Sequence, residues 1–246
     1  MPALETALVG AVSRGEMSAV FQPQFDLPSG RIVGAEALCR WASPSLGDIA
    51  PVDFIPVAED AGLIDEIGRF MAERCVMALG EWPIDIAVNV SPYQLTTSLF
   101  TEWLAEALAA GAGIGGALIV EITESRELAD VAGVLARLAP LRALGVVVSL
   151  DDYGTGHASL DQLERLQGTE VKLDRSLLAD ASAAAAARIS EVVEVAHRQG
   201  IRVVAEGIET RDELDRARRL GCDRAQGFLL ARPMGREELT HLLANA

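Results

Sequence analysis

Apolar runs of strand length alternate with amphipathic stretches of helix length along this chain. An amphipathic helix is expected from about Leu4 to Ser13 and a strand from Ala19 to Asp26. The turn Pro28-Ser29-Gly30 then leads into a second strand, Arg31 to Arg40. So short a connection makes the first strand pair antiparallel. Helices are predicted over Pro51 to Asp60, Ile64 to Leu79, Leu99 to Ala110 and Val131 to Leu144, with a short one over Leu160 to Leu166. Between them fall strands Ile84 to Val90, Ala117 to Ile122, Val146 to Leu150 and Glu170 to Leu173. The alanine-rich segment Ala181 to Gln199 has high helix propensity and ends at Gly200 in the manner of a C′ glycine. Strand Ile201 to Ala205 follows, then a helix opened by Thr210 and Glu213 at capping-box spacing. A last strand near Asp223 to Phe228 and a helix near Glu237 to Leu243 close the chain.

The predicted strands share one design: an apolar run ending in a polar, mostly acidic residue. Those residues are Glu36, Asn89, Glu121, the pair Asp151-Asp152, Lys172, Glu206 and Gln226. One carboxylate at a strand end can be a strand reaching solvent. Repetition along the chain instead suggests a polar ring where parallel strands end, the place where a β/α barrel keeps its chemistry. The expected fold is a TIM-like (β/α)8 barrel with an antiparallel first strand pair. Its 246 residues suit one domain, 1–246, and no linker, low-complexity segment or internal repeat interrupts them.

Composition sharpens the picture. Half the residues are hydrophobic but only 4% are aromatic, so the core is aliphatic. The formal charge of −15 argues against a surface for duplex nucleic acid. Cys39, Cys75 and Cys222 show neither metal-ligand spacing nor a disulfide framework. Free thiols and the lack of a signal peptide or a membrane-length apolar run lead to the expectation of a cytoplasmic protein, or a cytoplasmic domain of a larger one.

Placed at one barrel mouth, Glu36, Glu121, Asp151, Asp152 and Glu206 carry −5 and Lys172 returns +1, leaving −4. Like charges raise one another's pKa, and two divalent cations would neutralise the sum. Carboxylates with an Asn carbonyl are hard oxygen ligands that suit Mg²⁺ or Mn²⁺ rather than Zn²⁺. Two such ions form a clamp for in-line phosphoryl displacement, with the Asp151-Asp152 doublet the natural bridge. Taken alone, the doublet is equally a turn or helix cap, and Gly154-Thr155-Gly156 is weak evidence for a phosphate loop. Lys172 either serves the chemistry or forms a structural ion pair with Asp174 or a neighbouring strand. A glycosidase could place two acids at Glu121 and Glu206, but the three further acids and the shortage of aromatics speak against it. His157, His197 and His241 form no ligand pattern.

Read together, the motifs resemble the EAL domain family, phosphodiesterases that linearise cyclic di-GMP. The triplet Glu36-Ala37-Leu38 is weak by itself. It stands with FQPQ at Phe21 to Gln24, NVSP at Asn89 to Pro92, EITE at Glu121 to Glu124, LDDYGTGHASL, VKLDRS, AEGIET and AQGFLLARPM, in the family's order. The resemblance implies a β/α barrel with one antiparallel strand. It further implies a first metal on Glu36, Asn89, Glu121 and Asp151, and a second on Asp151, Asp152 and Glu206. Lys172 would hold the nucleophilic water, Gln226 would support the site, and Gln22 and Arg40 would contact substrate. Glu124 would steady the loop Asp152 to Ser159, which in the family couples dimerisation to metal and substrate binding. The implied reaction yields pGpG with Mg²⁺ or Mn²⁺, two per site, and Ca²⁺ as an inhibitor; either Glu206 or a cation-held hydroxide takes the proton. A homodimer, and a sensor or GGDEF domain in a longer parent chain, are the implied partners, and no membrane segment is expected here. Phe21, Tyr153, His157 and Ala225 depart mildly from the usual residues and remove no ligand. The alternative is a cyclic di-GMP receptor or interaction module with little turnover.

Overall fold

The computed structural model describes residues 2–111, 115–123, 130–153 and 165–245. Its centre is a closed barrel. β1 (Met17–Asp26) pairs antiparallel with β2 (Ile32–Ser43) on one side and with β9 (Arg224–Ala225) on the other. The strands between, β4 (Asp85–Val90), β5 (Leu118–Thr123), β6 (Val147–Tyr153), β7 (Glu170–Leu173) and β8 (Arg202–Ala205), run parallel from β2 round to β9. The barrel thus has eight strands with β1 reversed, as the short first turn implied. β3 (Gly47–Ile49) lies outside it, paired with the end of β2. It occupies the connection that follows β2, and Gly47 at φ 77° permits the reversal.

Helices pack their apolar stripes on the outer face of the barrel. α3 (Ile64–Leu79), after α2 (Pro51–Asp60) and before α4 (Leu99–Ala110) and α5 (Val131–Ala143), buries Ile64, Ile67, Met71, Cys75 and Ala78 at helical spacing. α7 (Ala183–Arg198) does the same with Ile189, Val192, Val193 and Ala196. It begins later than expected because Ser182 caps it, after a separate short helix α6 (Arg175–Ala179) capped by Asp174. Thr210 and Glu213 form the anticipated capping box on α8 (Arg211–Arg219). α1 (Pro2–Leu8) stops short of Ser13, since Gly10 adopts φ 72° and Arg14 reaches back to the Ala7 and Val9 carbonyls at 2.6 Å. β9 is shorter than expected because the chain beyond Ala225 bonds to the loop at Ile208: Ile208 donates to the Gln226 carbonyl, and Leu229 to the Ile208 carbonyl. The helix expected over Leu160 to Leu166 lies mostly outside the described residues. Cys75 and Cys222 are buried and Cys39 half-buried, all as free thiols. Burial pushes Cys39 up to about 11 and Cys222 up to about 12, which makes both poor nucleophiles.

Inside the barrel, register stacks the inward residues in layers. Ala87, Ile119 and Val204 form a thin apolar middle. Beneath it is an ionic floor. Asp85 accepts from Arg224 Nη2 at 2.7 Å, from Arg202 Nη1 at 3.4 Å and from the Ala117 amide at 3.0 Å. Arg202 Nε also pairs with the fully buried Glu170 at 2.6 Å. Asp85→Ala strips Arg224 of its carboxylate partner in the lumen, while Arg202 keeps Glu170, so it should cost about 3 kcal/mol of stability. Denaturant unfolding checks this, and a loss under about 0.5 kcal/mol would mean that solvent screens the layer.

Candidate active site

The parallel strands deliver their polar ends to the opposite mouth of the barrel. β-ladder partners place Asn89 beside Glu121 and Thr123 beside Asp151, while antiparallel β1 sets Gln22 opposite Glu36. At the centre is Lys172, its side chain only 1% exposed. Its Nζ lies 2.6 Å from Glu206 Oε1, 2.9 Å from Glu121 Oε2, 3.3 Å from Asp151 Oδ1 and 3.6 Å from Glu36 Oε2. Four carboxyl groups from separate strands therefore share one ammonium. With every acid ionised the formal charge would be −3, leaving out Asp152, whose backbone belongs to β6 and whose side chain lies outside the described residues.

Glu36 is clamped from both sides. Asn89 Nδ2 donates to its Oε1 at 2.8 Å, and Gln226 Nε2 donates to its Oε2 at 2.6 Å. Gln22 uses both ends of its amide on the protein: its oxygen accepts from Gln226 at 3.1 Å and its nitrogen donates to the Ala231 carbonyl at 3.1 Å. Arg40 lies four residues beyond Glu36 on β2, half-buried, with Nη1 on the Cys39 carbonyl at 2.8 Å. Glu124 and most of the Asp152 to Ser159 loop lie outside the described residues.

Burial holds the Glu121 carboxyl well above the usual range, and repulsion from Glu36, Asp151 and Glu206 adds to it against the pull of Lys172. Glu206 is raised in the same way, by burial and then by Asp151 and Glu36. Burial alone would lower the Lys172 ammonium, yet Asp151, Glu121, Glu206 and Glu36 together hold it well above its ordinary value. The lysine therefore stays charged.

The donor set is all oxygen, which favours a hard cation. Both Glu121 oxygens are buried and neither accepts a hydrogen bond; the Lys172 contact is an ion pair outside hydrogen-bonding geometry. Such a carboxylate has lone pairs to give to an ion. Among the described residues, no three acidic, thiol or imidazole groups yet form an ion-holding cluster by themselves. Lys172 stands at the point on which the acids converge.

The mouth opens into a cavity of about 350 Å³ lined by Gln22, Glu36, Asp151, Lys172, Glu206 and Gln226. Its outer wall includes residues the sequence reading missed. Arg175 pairs with Glu209 at 2.5 Å, and Phe228 stands 48% exposed with Arg232 stacked 4.6 Å from its ring. An aromatic two residues after Gln226 was the only sequence sign of them. A larger apolar cavity of about 500 Å³ lies between α2, α3 and the ends of β2 and β4, and meets the site at Asn89.

The sequence profile of the EAL domain matches residues 5–233. The bifunctional diguanylate cyclase/cyclic di-GMP phosphodiesterase MucR of Pseudomonas aeruginosa is 36% identical over 237 residues, which cover 93% of this chain and 35% of that protein. The cyclic di-GMP phosphodiesterase RocR of the same organism is 35% identical over 234 residues, covering 92% of this chain and 60% of RocR. The chain thus spans less than two thirds of either relative. Among solved structures, the PaMucR phosphodiesterase in complex with c-di-GMP superposes with a TM-score of 0.87 at 35% identity, covering 96% of this chain and 99% of that one. An EAL domain protein from Listeria monocytogenes gives 0.87 at 26% identity, covering 98% of each chain.

The raised carboxyls set a pH dependence. As pH climbs through the ordinary carboxylate range, the unfolded chain ionises while folded Glu121 and Glu206 keep their protons. Stability in chelator therefore falls with rising pH until their raised folded values are passed. Glu121→Gln removes one of the two penalties. It should raise the melting temperature at pH 8 and leave it unchanged near pH 4, measured by thermal unfolding at both values.

Proposed function

This chain belongs to the EAL domain family, and from that premise we propose that it hydrolyses one phosphodiester bond of cyclic di-GMP to give linear pGpG. The observation that carries the reading is the buried Lys172 ammonium held by Glu36, Glu121, Asp151 and Glu206 at the barrel mouth. So concentrated a set of acids is costly to maintain unless cations join it, and phosphoryl transfer is the chemistry that uses such a site.

We assign Glu36, Asn89, Glu121 and Asp151 to one Mg²⁺ or Mn²⁺, and Asp151, Asp152 and Glu206 to a second. Bound there, the two ions would polarise the phosphoryl oxygens and acidify the attacking water. The protein supplies the rest. Lys172 carries three N–H donors and no acceptor, so it orients water by donating to its oxygen and offsets charge on the phosphate. Gln226 and Asn89 fix Glu36, both oxygens of which they hold. Arg40 offers a guanidinium fork to a substrate phosphate, and Gln22 contacts substrate from β1. Attack by water forms a new P–O bond as one P–O bond of the ring breaks, and the proton that water gives up balances the one taken up by the departing ribose oxygen. Ca²⁺ would be held by the same acids without meeting the geometry that Mg²⁺ demands, and is expected to inhibit.

We read residues 1–246 as one catalytic unit working inside a longer signalling protein, as a homodimer coupled through Glu124 and its loop, with a sensor or GGDEF partner. No helix among the described residues is long and apolar enough to cross a membrane, in keeping with action on a soluble dinucleotide.

Chromatography of cyclic di-GMP incubated with the purified chain tests the proposal. Conversion to pGpG should require Mg²⁺ or Mn²⁺ and stop with chelator or Ca²⁺. A folded chain that binds cyclic di-GMP without cation-dependent conversion would instead be a receptor. Asp151→Ala takes a ligand from each ion and should abolish turnover; a near-normal rate in Mg²⁺ would sink the two-cation assignment. Lys172→Ala should slow turnover while preserving substrate affinity, and weaker affinity with unchanged turnover would contradict its role.

A further inference from the structure

We propose that Gln24, which has no part in the chemistry above, is a positioning residue that sets the orientation of Gln226 and, through it, of Glu36. The role rests on the phosphodiesterase reading of the mouth.

Gln24 is fully buried on β1, opposite Gly34 and one inward position below the Gln22–Glu36 pair. Its Nε2 donates to Gln226 Oε1 at 3.0 Å. Gln226 Nε2 donates in turn to Glu36 Oε2 at 2.6 Å and to Gln22 Oε1 at 3.1 Å. Chemistry at the two ends fixes the direction of this relay. An ionised carboxylate only accepts, so Gln226 must turn its nitrogen to Glu36 and its oxygen away. That oxygen needs a donor, and Gln24 provides it. The oxygen of Gln24 then faces the floor, where the Arg224 guanidinium can only donate. Gly34 leaves the space between them open: a Cβ there would sit 2.9 Å from Gln24 Oε1 and 3.3 Å from Arg224 Nη1. Both of these atoms are buried without a hydrogen-bond partner of their own.

Volume alone does not explain the residue. A Met would fill the same space, yet it would leave Gln226 Oε1 buried without its donor. The Gln226 nitrogen would still be drawn to Glu36 and Gln22, but the far end of the amide would have no bond to hold it. The unpaired oxygen would pull the amide out of line in search of a donor, and Glu36 would lose its fixed position.

Two donor-free variants separate positioning from packing. Gln24→Glu keeps the size and gains the Arg224 guanidinium as a partner, so its melting temperature should hold. Gln24→Met keeps the volume without that compensation. Three quantities are measured: the melting temperature, the affinity of the substrate-free chain for Mn²⁺ by paramagnetic resonance, and kcat and KM for cyclic di-GMP in Mg²⁺. In both variants kcat and Mn²⁺ affinity should fall about tenfold, with KM within about twofold of the parent. Mn²⁺ affinity and kcat within about twofold of the parent in a folded variant would reduce Gln24 to barrel filling. A change in KM alone would overturn the role too, as would loss of the fold in both variants. If the parent chain itself fails to convert cyclic di-GMP, the phosphodiesterase reading falls, while the Mn²⁺ arm still decides whether Gln24 positions Glu36.

Discussion

A single ammonium, Lys172, holds four carboxylates together in a place almost closed to water. Each acid is brought by a different strand or strand end, so the contact ties the middle of β2 and the C-terminal ends of β5, β6 and β8 to β7. Remove the lysine and like charges face one another with little solvent to screen them. Remove the acids and a buried ammonium is left unpaired. The rest of the mouth is arranged around this constraint. Asn89 and Gln226 donate to Glu36 because Lys172, at 3.6 Å, reaches it less closely than it reaches the other three.

The arrangement explains why so aliphatic a protein carries a polar barrel interior. An apolar lumen would leave the acids at the mouth on a dry, low-dielectric floor. Instead a thin apolar layer of Ala87, Ile119 and Val204 separates the mouth from the second ionic layer of Asp85, Arg202, Arg224 and Glu170. The amides of Gln24 and Gln226 cross that gap on the side of β1 and β9. The apolar core proper lies outside the barrel, between the outward faces of the strands and the helices. The chemistry is thereby placed on the inner face of the strands and the apolar core on the outer face, and the period of two decides which residue serves which.

Reversal of β1 has a chemical consequence. A parallel strand would bring one inward residue to its C-terminal end at the mouth. Running the other way, β1 enters the site from the top and presents Gln22 at the mouth and Gln24 beneath it. Each is matched to a β2 partner, Glu36 and Gly34. The antiparallel strand thus supplies amides where its neighbours supply acids.

Much of this was legible in the sequence because strand periodicity and strand-end chemistry are local. Apolar runs ending in Glu36, Asn89, Glu121, Asp151, Lys172, Glu206 and Gln226 marked both the barrel and its mouth, and the short turn at Pro28 to Gly30 marked the reversed strand. Capping by Thr210 and Glu213 was equally local and equally readable. What the sequence left undecided depends on contacts between distant segments. Lys172 was balanced between chemistry and a structural ion pair with Asp174 or a neighbouring strand; only the closed barrel brings it to four acids of other strands, while Asp174 turns instead to cap α6. The ionic floor and the Gln24 relay were invisible for the same reason, since Asp85, Arg202 and Arg224 begin their strands and read as ordinary polar edges. Periodicity says which face a residue takes; closure of the sheet says which residues from other strands share that face, and so sets every charge's partner.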